Sequence, residues 1–353
     1  MPLRELSLAD WARMSDEVAR RECERLAEAL PHGLEFAGLQ AHTYCGRTHR
    51  IARFSRREAG VLVQFVLVPG GEVRLGFHGA DFKPTRAQVK SFGKSAAAYE
   101  IDPSIWRFVD SQTTVPRRVY LASMLIEVEA REVEPREDLE LLDPTDPLIE
   151  KHRLRLDEGR TSMEFYGGVL GEYRYIVERD GDGTSRVWRG PPPTVQWLEA
   201  SLARIGMRLP TCDEWEHACG AGASTLFRWG DDSPNDYYPT DTCAEDRRLS
   251  RAWALSLGTL AYERPPPTWT LHLQQNLFGL RIAHDPYKMD LVSDGPGALG
   301  GDGGCNVCGG AGFFLGWLPL ATAYANPHCA VRSTTEENIA DEYHRVRRVI
   351  PLI

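Results

Sequence analysis

The sequence predicts a mixed α+β domain that is loop-rich, with small antiparallel sheets and few helices. Three observations lead there. Val61–Val68 (VLVQFVLV) is a short, β-branched apolar run of the kind that forms a buried strand. From Tyr237 onward long stretches lack periodicity, interrupted by Pro265-Pro266-Pro267 and by the glycine-dense run Gly295–Gly312. Strand and helix patterns do not alternate as a βαβ array requires, and no repeat with a period of about 20–50 residues is present.

In chain order, Ser7 is placed to cap a helix running to about Leu30, with Trp11, Met14, Val18, Cys23, Leu26 and Leu30 on its apolar face. Arg20, Arg21, Glu22, Glu24 and Arg25 form its solvated face, and Pro31-His32-Gly33 stops it. Leu34–Phe54 reads as weak strand and turn. Val61–Val68, the turn Pro69-Gly70-Gly71 and the alternating Glu72–Phe77 predict a β-hairpin. Val119–Val128 predicts another strand, and the acidic, proline-dotted Glu127–Asp146 a solvated connection. Val195, Leu198, Leu202 and Ile205 have helical spacing. Thr211 and Glu214 have the spacing of a capping box, which would turn Trp215 and Ala218 inward together. The organisation expected is an N-terminal helix and strand extension, residues 1–58, packed on a main domain, residues 59–353.

Composition narrows the function classes. With 42% hydrophobic and 26% charged residues, the chain has the profile of a soluble globular protein. A net charge of −9 argues against a phosphate-tracking surface, so no nucleic-acid partner is expected. No run of about 18 apolar residues occurs, so no membrane partner is expected. The first residues, Met1-Pro2-Leu3-Arg4-Glu5, lead directly into polar sequence, and a cytoplasmic location is expected. Eight cysteines in such a chain are read as free thiols rather than a disulfide framework.

Five segments in order resemble the formylglycine-generating-enzyme, or sulfatase-modifying-factor, family. They are Phe65–Gly76 (FVLVPGGEVRLG), Pro116–Val133, Pro193–Ala200 with Arg208–Ala218 (RLPTCDEWEHA), Phe227–Asp231 (FRWGD) and Asn276–Leu280 (NLFGL). The resemblance implies a C-type-lectin-like fold. Active members of that family are similar to copper oxidases, in which two cysteines hold Cu(I) and oxidise a substrate cysteine with O₂; soft thiolates suit that ion. Here Gly309-Gly310-Ala311 resembles the turn before the pair, Tyr324-Ala325-Asn326 the triplet around its second member, and Ala330–Ser333 the stretch after it. The cysteine positions then fall on Leu320 and Ala325, which cannot bind copper.

Other cysteines lie close by. Cys305, Cys308 and Cys329 are the alternative catalytic candidates, and Cys305-Asn306-Val307-Cys308 has the CxxC spacing of thiol exchange or of half a metal site. His42 and His49 flank Cys45 and are read as surface or satisfied histidines. The His-x-x-x-His-x-Glu iron motif of the family's sulfoxide-synthase relatives is absent. Family members often hold Ca²⁺ near the Asn276 motif, and Asp290 stands where a second ligand would be, beside Lys288; the resemblance thus makes Asn276 and Asp290 candidate calcium ligands.

The function this implies is a non-catalytic interaction module, a pseudoenzyme of bacterial type that binds a protein or peptide. The glycine-rich loop and the insertion between Asp232 and Pro267 would be its recognition surface. Two alternatives stay open. One is a copper oxidase acting on a thiol through a displaced cysteine site; the other is a variable ligand-binding protein of a diversity-generating system.

Overall fold

The computed structural model describes residues 3–31, 33–58, 60–133, 140–143, 162–167, 173–179, 185–191, 193–242, 269–295, 297–325, 339 and 343–352. Over these residues the chain is mixed α+β, with eight α-helices and fifteen strands in four small, open sheets. It divides into two compact units, one of residues 1–132, 199–333 and 341–353, the other of residues 133–198 and 334–340.

The first unit begins with two helices where the sequence predicts one. Ser7 caps α1 (Leu8–Arg13) by accepting from the Asp10 amide. Met14 and Ser15 are extended, and Ser15 caps α2 (Asp16–Ala29) by accepting from the Val18 amide. A serine that can take up an orphan amide starts a new helix more readily than it continues an old one. Trp11 is buried, its indole donating to the Arg50 carbonyl at 2.7 Å.

β1 (Glu35–Tyr44) and β2 (Arg47–Glu58) form a long hairpin. Cys45 and Gly46, both at positive φ, make its two-residue turn. This is far more regular than the weak strand and turn expected there.

β3 (Val61–Val68) pairs with β2 on one side and with β6 (Met124–Glu127) on the other. β4 (Gly71–Leu75) pairs instead with β5 (Arg117–Leu121). The predicted 61–77 hairpin is therefore two strands in two sheets, and the predicted 119–128 strand breaks in the same way. The chain crosses twice at one place. Gly70 N donates to Leu6 O at 2.9 Å and to Ser123 Oγ at 3.1 Å, while Ser123 Oγ donates to Leu6 O at 2.8 Å. The N-terminal segment thus takes up polar groups that a hairpin would have paired internally.

α3 (Arg86–Tyr99) starts at a capping box between Thr85 and Gln88, and α4 (Ile105–Gln112) follows. α5 (Val195–Arg204) has the expected spacing, with Leu198 and Leu202 buried, but Ile205 lies past its end and is exposed. α6 (Cys212–Gly220) carries the capping box read from sequence. Two short helices, α7 (Cys305–Cys308) and α8 (Phe313–Trp317), lie in and after the glycine-dense run.

β7 (Arg131–Glu132), β12 (Met289–Leu291), β13 (Ala298–Leu299) and β14 (His344–Val346) form a third sheet, and β15 (Val349–Pro351) closes the five-stranded sheet beside β6. The 127–146 connection is not solvated throughout. Glu127 is buried, bonded to Arg348 and Arg131 at 2.8 and 2.5 Å. The core gathers Trp215, Phe227, Phe278, Phe314 and Trp317.

In the second unit β8 (Glu140–Leu141), β11 (Ser185–Gly190), β10 (Tyr173–Arg179) and β9 (Ser162–Gly167) form an antiparallel sheet in that order. Val177 and Val187, directly paired across it, are fully buried. Among the described residues no helix is long and apolar enough to cross a membrane.

Candidate functional site

The best sequence motif turns out to be scaffold. Thr211 Oγ1 accepts from Glu214 N, and Glu214 Oε2 accepts from Thr211 N at 2.9 Å. Arg208 then grips Glu214 with two bonds of 2.6 Å. On the same helix Glu216 accepts from the Gly76 amide, from Thr114 Oγ1 at 2.8 Å and from Arg117 at 2.9 Å. Both carboxylates are fully engaged in holding α6, and Trp215 and Ala218 are buried together.

The calcium candidates serve that helix too. Asn276 Nδ2 donates to Ala218 O and Cys219 O at 2.6 and 3.1 Å, while its Oδ1 accepts from Phe278 N and Leu280 N. Its hydrogen-bonding capacity is filled, and no lone pair is left for a cation. Asp290 Oδ2 accepts from Trp215 Nε1 at 2.9 Å and from Arg347 Nε at 2.7 Å, all three groups being buried. Lys288 reaches Glu132 at 3.6 Å. Asn276 and Asp290 thus meet α6 at separate residues, Ala218 with Cys219 and Trp215. Among the described residues no cluster of three or more His, Cys, Asp or Glu side chains is placed to hold a metal.

The cysteines divide by environment. Leu320 is fully buried in the 3₁₀ turn Leu318–Leu320, and Ala325 donates its amide to Gln112 O. Cys305 and Cys308 are exposed at the two ends of α7, and Cys308 Sγ lies 2.8 Å from the Tyr287 hydroxyl. Cys329 lies outside the described residues. Burial pushes the Cys23 and Cys219 thiols up to about 12, and raises Cys212 and Cys45 as well. His42 and His49 face each other across the β1–β2 hairpin. His42 bonds to Gln275 O, and burial takes His49 down to about 4.

A cleft of ≈ 490 Å³ opens beside α7, between α3 and the turn Gly310–Phe313. Lys90 and Lys94, one helical turn apart, stand on its α3 wall. Among the described residues that line it none is acidic, in a chain of net charge −9. Asn235 lines it as well; its Nδ2 donates to Ser233 O, while its buried Oδ1 has no hydrogen-bond partner among the described residues. Tyr99 OH donates to Gly309 O at 2.9 Å, tying the two walls together. Sequence reasoning names the glycine loop but misses the α3 wall. The Thr85-Arg86-Ala87-Gln88 capping box, followed by Lys90 and Lys94 four apart, was the available signal.

Comparison with known proteins returns neither a matching family nor a curated relative.

Proposed function

We propose that the chain is a divergent relative of the formylglycine-generating enzymes, with a C-type-lectin-like fold, that works as a non-catalytic module binding an acidic peptide segment. The observation that carries the binding reading is the cleft between α3 and Gly310–Phe313, cationic in an acidic protein. Two ammonium groups favour carboxylates, and no acidic side chain among the described lining residues opposes them. Five family-like segments in order support the relationship. The non-catalytic reading is supported by Leu320 and Ala325, which stand without thiols where the resemblance puts the copper pair.

The test is titration of the full chain with a fluorescent, terminally blocked hexaglutamate peptide. Saturable binding is expected, weakened about tenfold or more by Lys90→Glu with Lys94→Glu, and absent for a hexalysine control. Equal binding of both peptides, or indifference to the lysine changes, sinks the reading. Stoichiometric Cu(I) bound after loading would instead support the oxidase alternative.

A further inference from the structure

Peptide binding leaves the two exposed thiols of α7 without a role. Their setting is built rather than incidental. Asp302 is buried; its Oδ1 accepts from Gly304 N at 2.8 Å, and its Oδ2 accepts from Asn306 N and Nδ2 at 3.1 and 2.7 Å. Asp302 N in turn donates to Pro286 O at 2.9 Å, anchoring the turn to the segment before β12. Cys308 N donates to Gly304 O, and Gly309 N to Cys305 O, closing a single helical turn. Gly304 has φ +78, and a Cβ there would lie 2.0 Å from the Tyr287 ring. That close approach carries the Tyr287 hydroxyl to Cys308 Sγ.

Two thiols three residues apart on such a turn face the same way. Their Cβ atoms lie about 5–6 Å apart, and a disulfide needs about 3.5–4.5 Å. The glycines at 303, 304, 309 and 310 flank the turn on both sides and can absorb the small tightening. The fixed turn has already lost most of the chain freedom that closing the bond would cost. The remaining described thiols are poorer candidates. Cys23 and Cys219 are buried, Cys212 donates to Asp294 O, and Cys45 sits at a hairpin tip beside Tyr44.

We propose that Cys305 and Cys308 form a redox-active dithiol that exchanges with low-molecular-weight disulfides. The thiolate of one cysteine attacks a sulfur of the small disulfide, making a mixed disulfide and releasing one small thiol. The other cysteine attacks the protein-side sulfur of that bond and releases the second small thiol. Two electrons and two protons pass from the protein to the small disulfide, and an intramolecular disulfide remains.

The test uses the reduced full chain, equilibrated in mixtures of oxidised and reduced glutathione, quenched by alkylation and read by mass spectrometry. As the mixture is made more oxidising, the peptide spanning Cys305–Cys308 is expected to lose both alkyl labels and appear two hydrogens lighter than the unlabelled dithiol peptide, and to take both labels again after dithiothreitol. Cys305→Ser should instead stop at a stable glutathione adduct on Cys308. The proposal falls if both thiols stay alkylatable in fully oxidised glutathione. It falls equally if the unmodified chain accumulates stable adducts at both cysteines, or if either cysteine pairs with a different one. None of these readouts depends on whether the cleft binds peptide.

Discussion

Two regions of the first unit use polar chemistry in opposite ways. Around α6 every functional-looking side chain is engaged. Glu214 is held by Arg208, Glu216 by Arg117 and Thr114, Asp290 by Trp215 and Arg347, and Asn276 by four backbone groups. Around α7 and the cleft, two exposed thiols and two exposed lysines face outward or line a hollow. The first arrangement fixes a frame, and the second is free to meet something. The difference teaches that a recognisable motif and a functional site need not coincide: the most recognisable residues here carry the structure.

The sharpest way to break this contrast is at Asp290. Replacing it by Ala strands a buried guanidinium, Arg347, and a buried indole N–H. A loss of about 3–5 kcal/mol is expected, read from the urea midpoint. Chelation of calcium should leave the wild-type midpoint where it was. A midpoint that drops with chelator and recovers with added Ca²⁺ would return Asp290 and Asn276 to the role of ligands.

Acid should act on the same frame. Burial takes His49 down to about 4 and His272 to about 3, and lowers His217 on α6. These folded-state values lie below the unfolded value of about 6.5. As pH falls from about 6.5, the unfolded chain takes up protons that the folded chain refuses. Stability is therefore full above that pH and is lost on acidification, by up to about 1.4 kcal/mol per pH unit for each such histidine. Urea midpoints measured between pH 7.5 and 5 should fall with pH, and His49→Gln should flatten part of the slope. A flat wild-type profile would place these histidines in solvent. Residues 305–313 contain no histidine and add nothing to this slope.

The frame was more legible in the sequence than the site. A capping box is a local signal, so Thr211 and Glu214 could be read three residues apart. Strand partners are not local. Val61–Val68 announces a strand, yet only Leu6 and Ser123, distant in sequence, divert the chain at Gly70 into a different sheet. Ser15 could have been read as a cap, but the apolar spacing on both sides masked the break. Asn276 and Asp290 were nameable from the motif, while the partners that occupy them were not; Arg347 lies far along the chain from Asp290. The cleft needed α3 and the glycine turn brought together, and no periodicity in either segment foretells that contact. The CxxC spacing was visible, but the exposure of its thiols and the approach of Tyr287 were not.

The smallest expected effect sharpens the comparison most directly. Thr211→Ala removes the cap oxygen that accepts from Glu214 N and leaves that amide without its partner. The expected cost is about 1 kcal/mol. Replacing Cys305 and Cys308 together by Ser changes two exposed side chains on a turn whose bonds are made by Asp302 and by backbone groups. Under reducing conditions it should stay within about 0.5 kcal/mol of wild type. Urea unfolding of both variants alongside the parent measures the difference. If the double cysteine change costs as much as the lost cap, the thiols belong to the frame, and the division between a committed scaffold and an uncommitted surface does not hold.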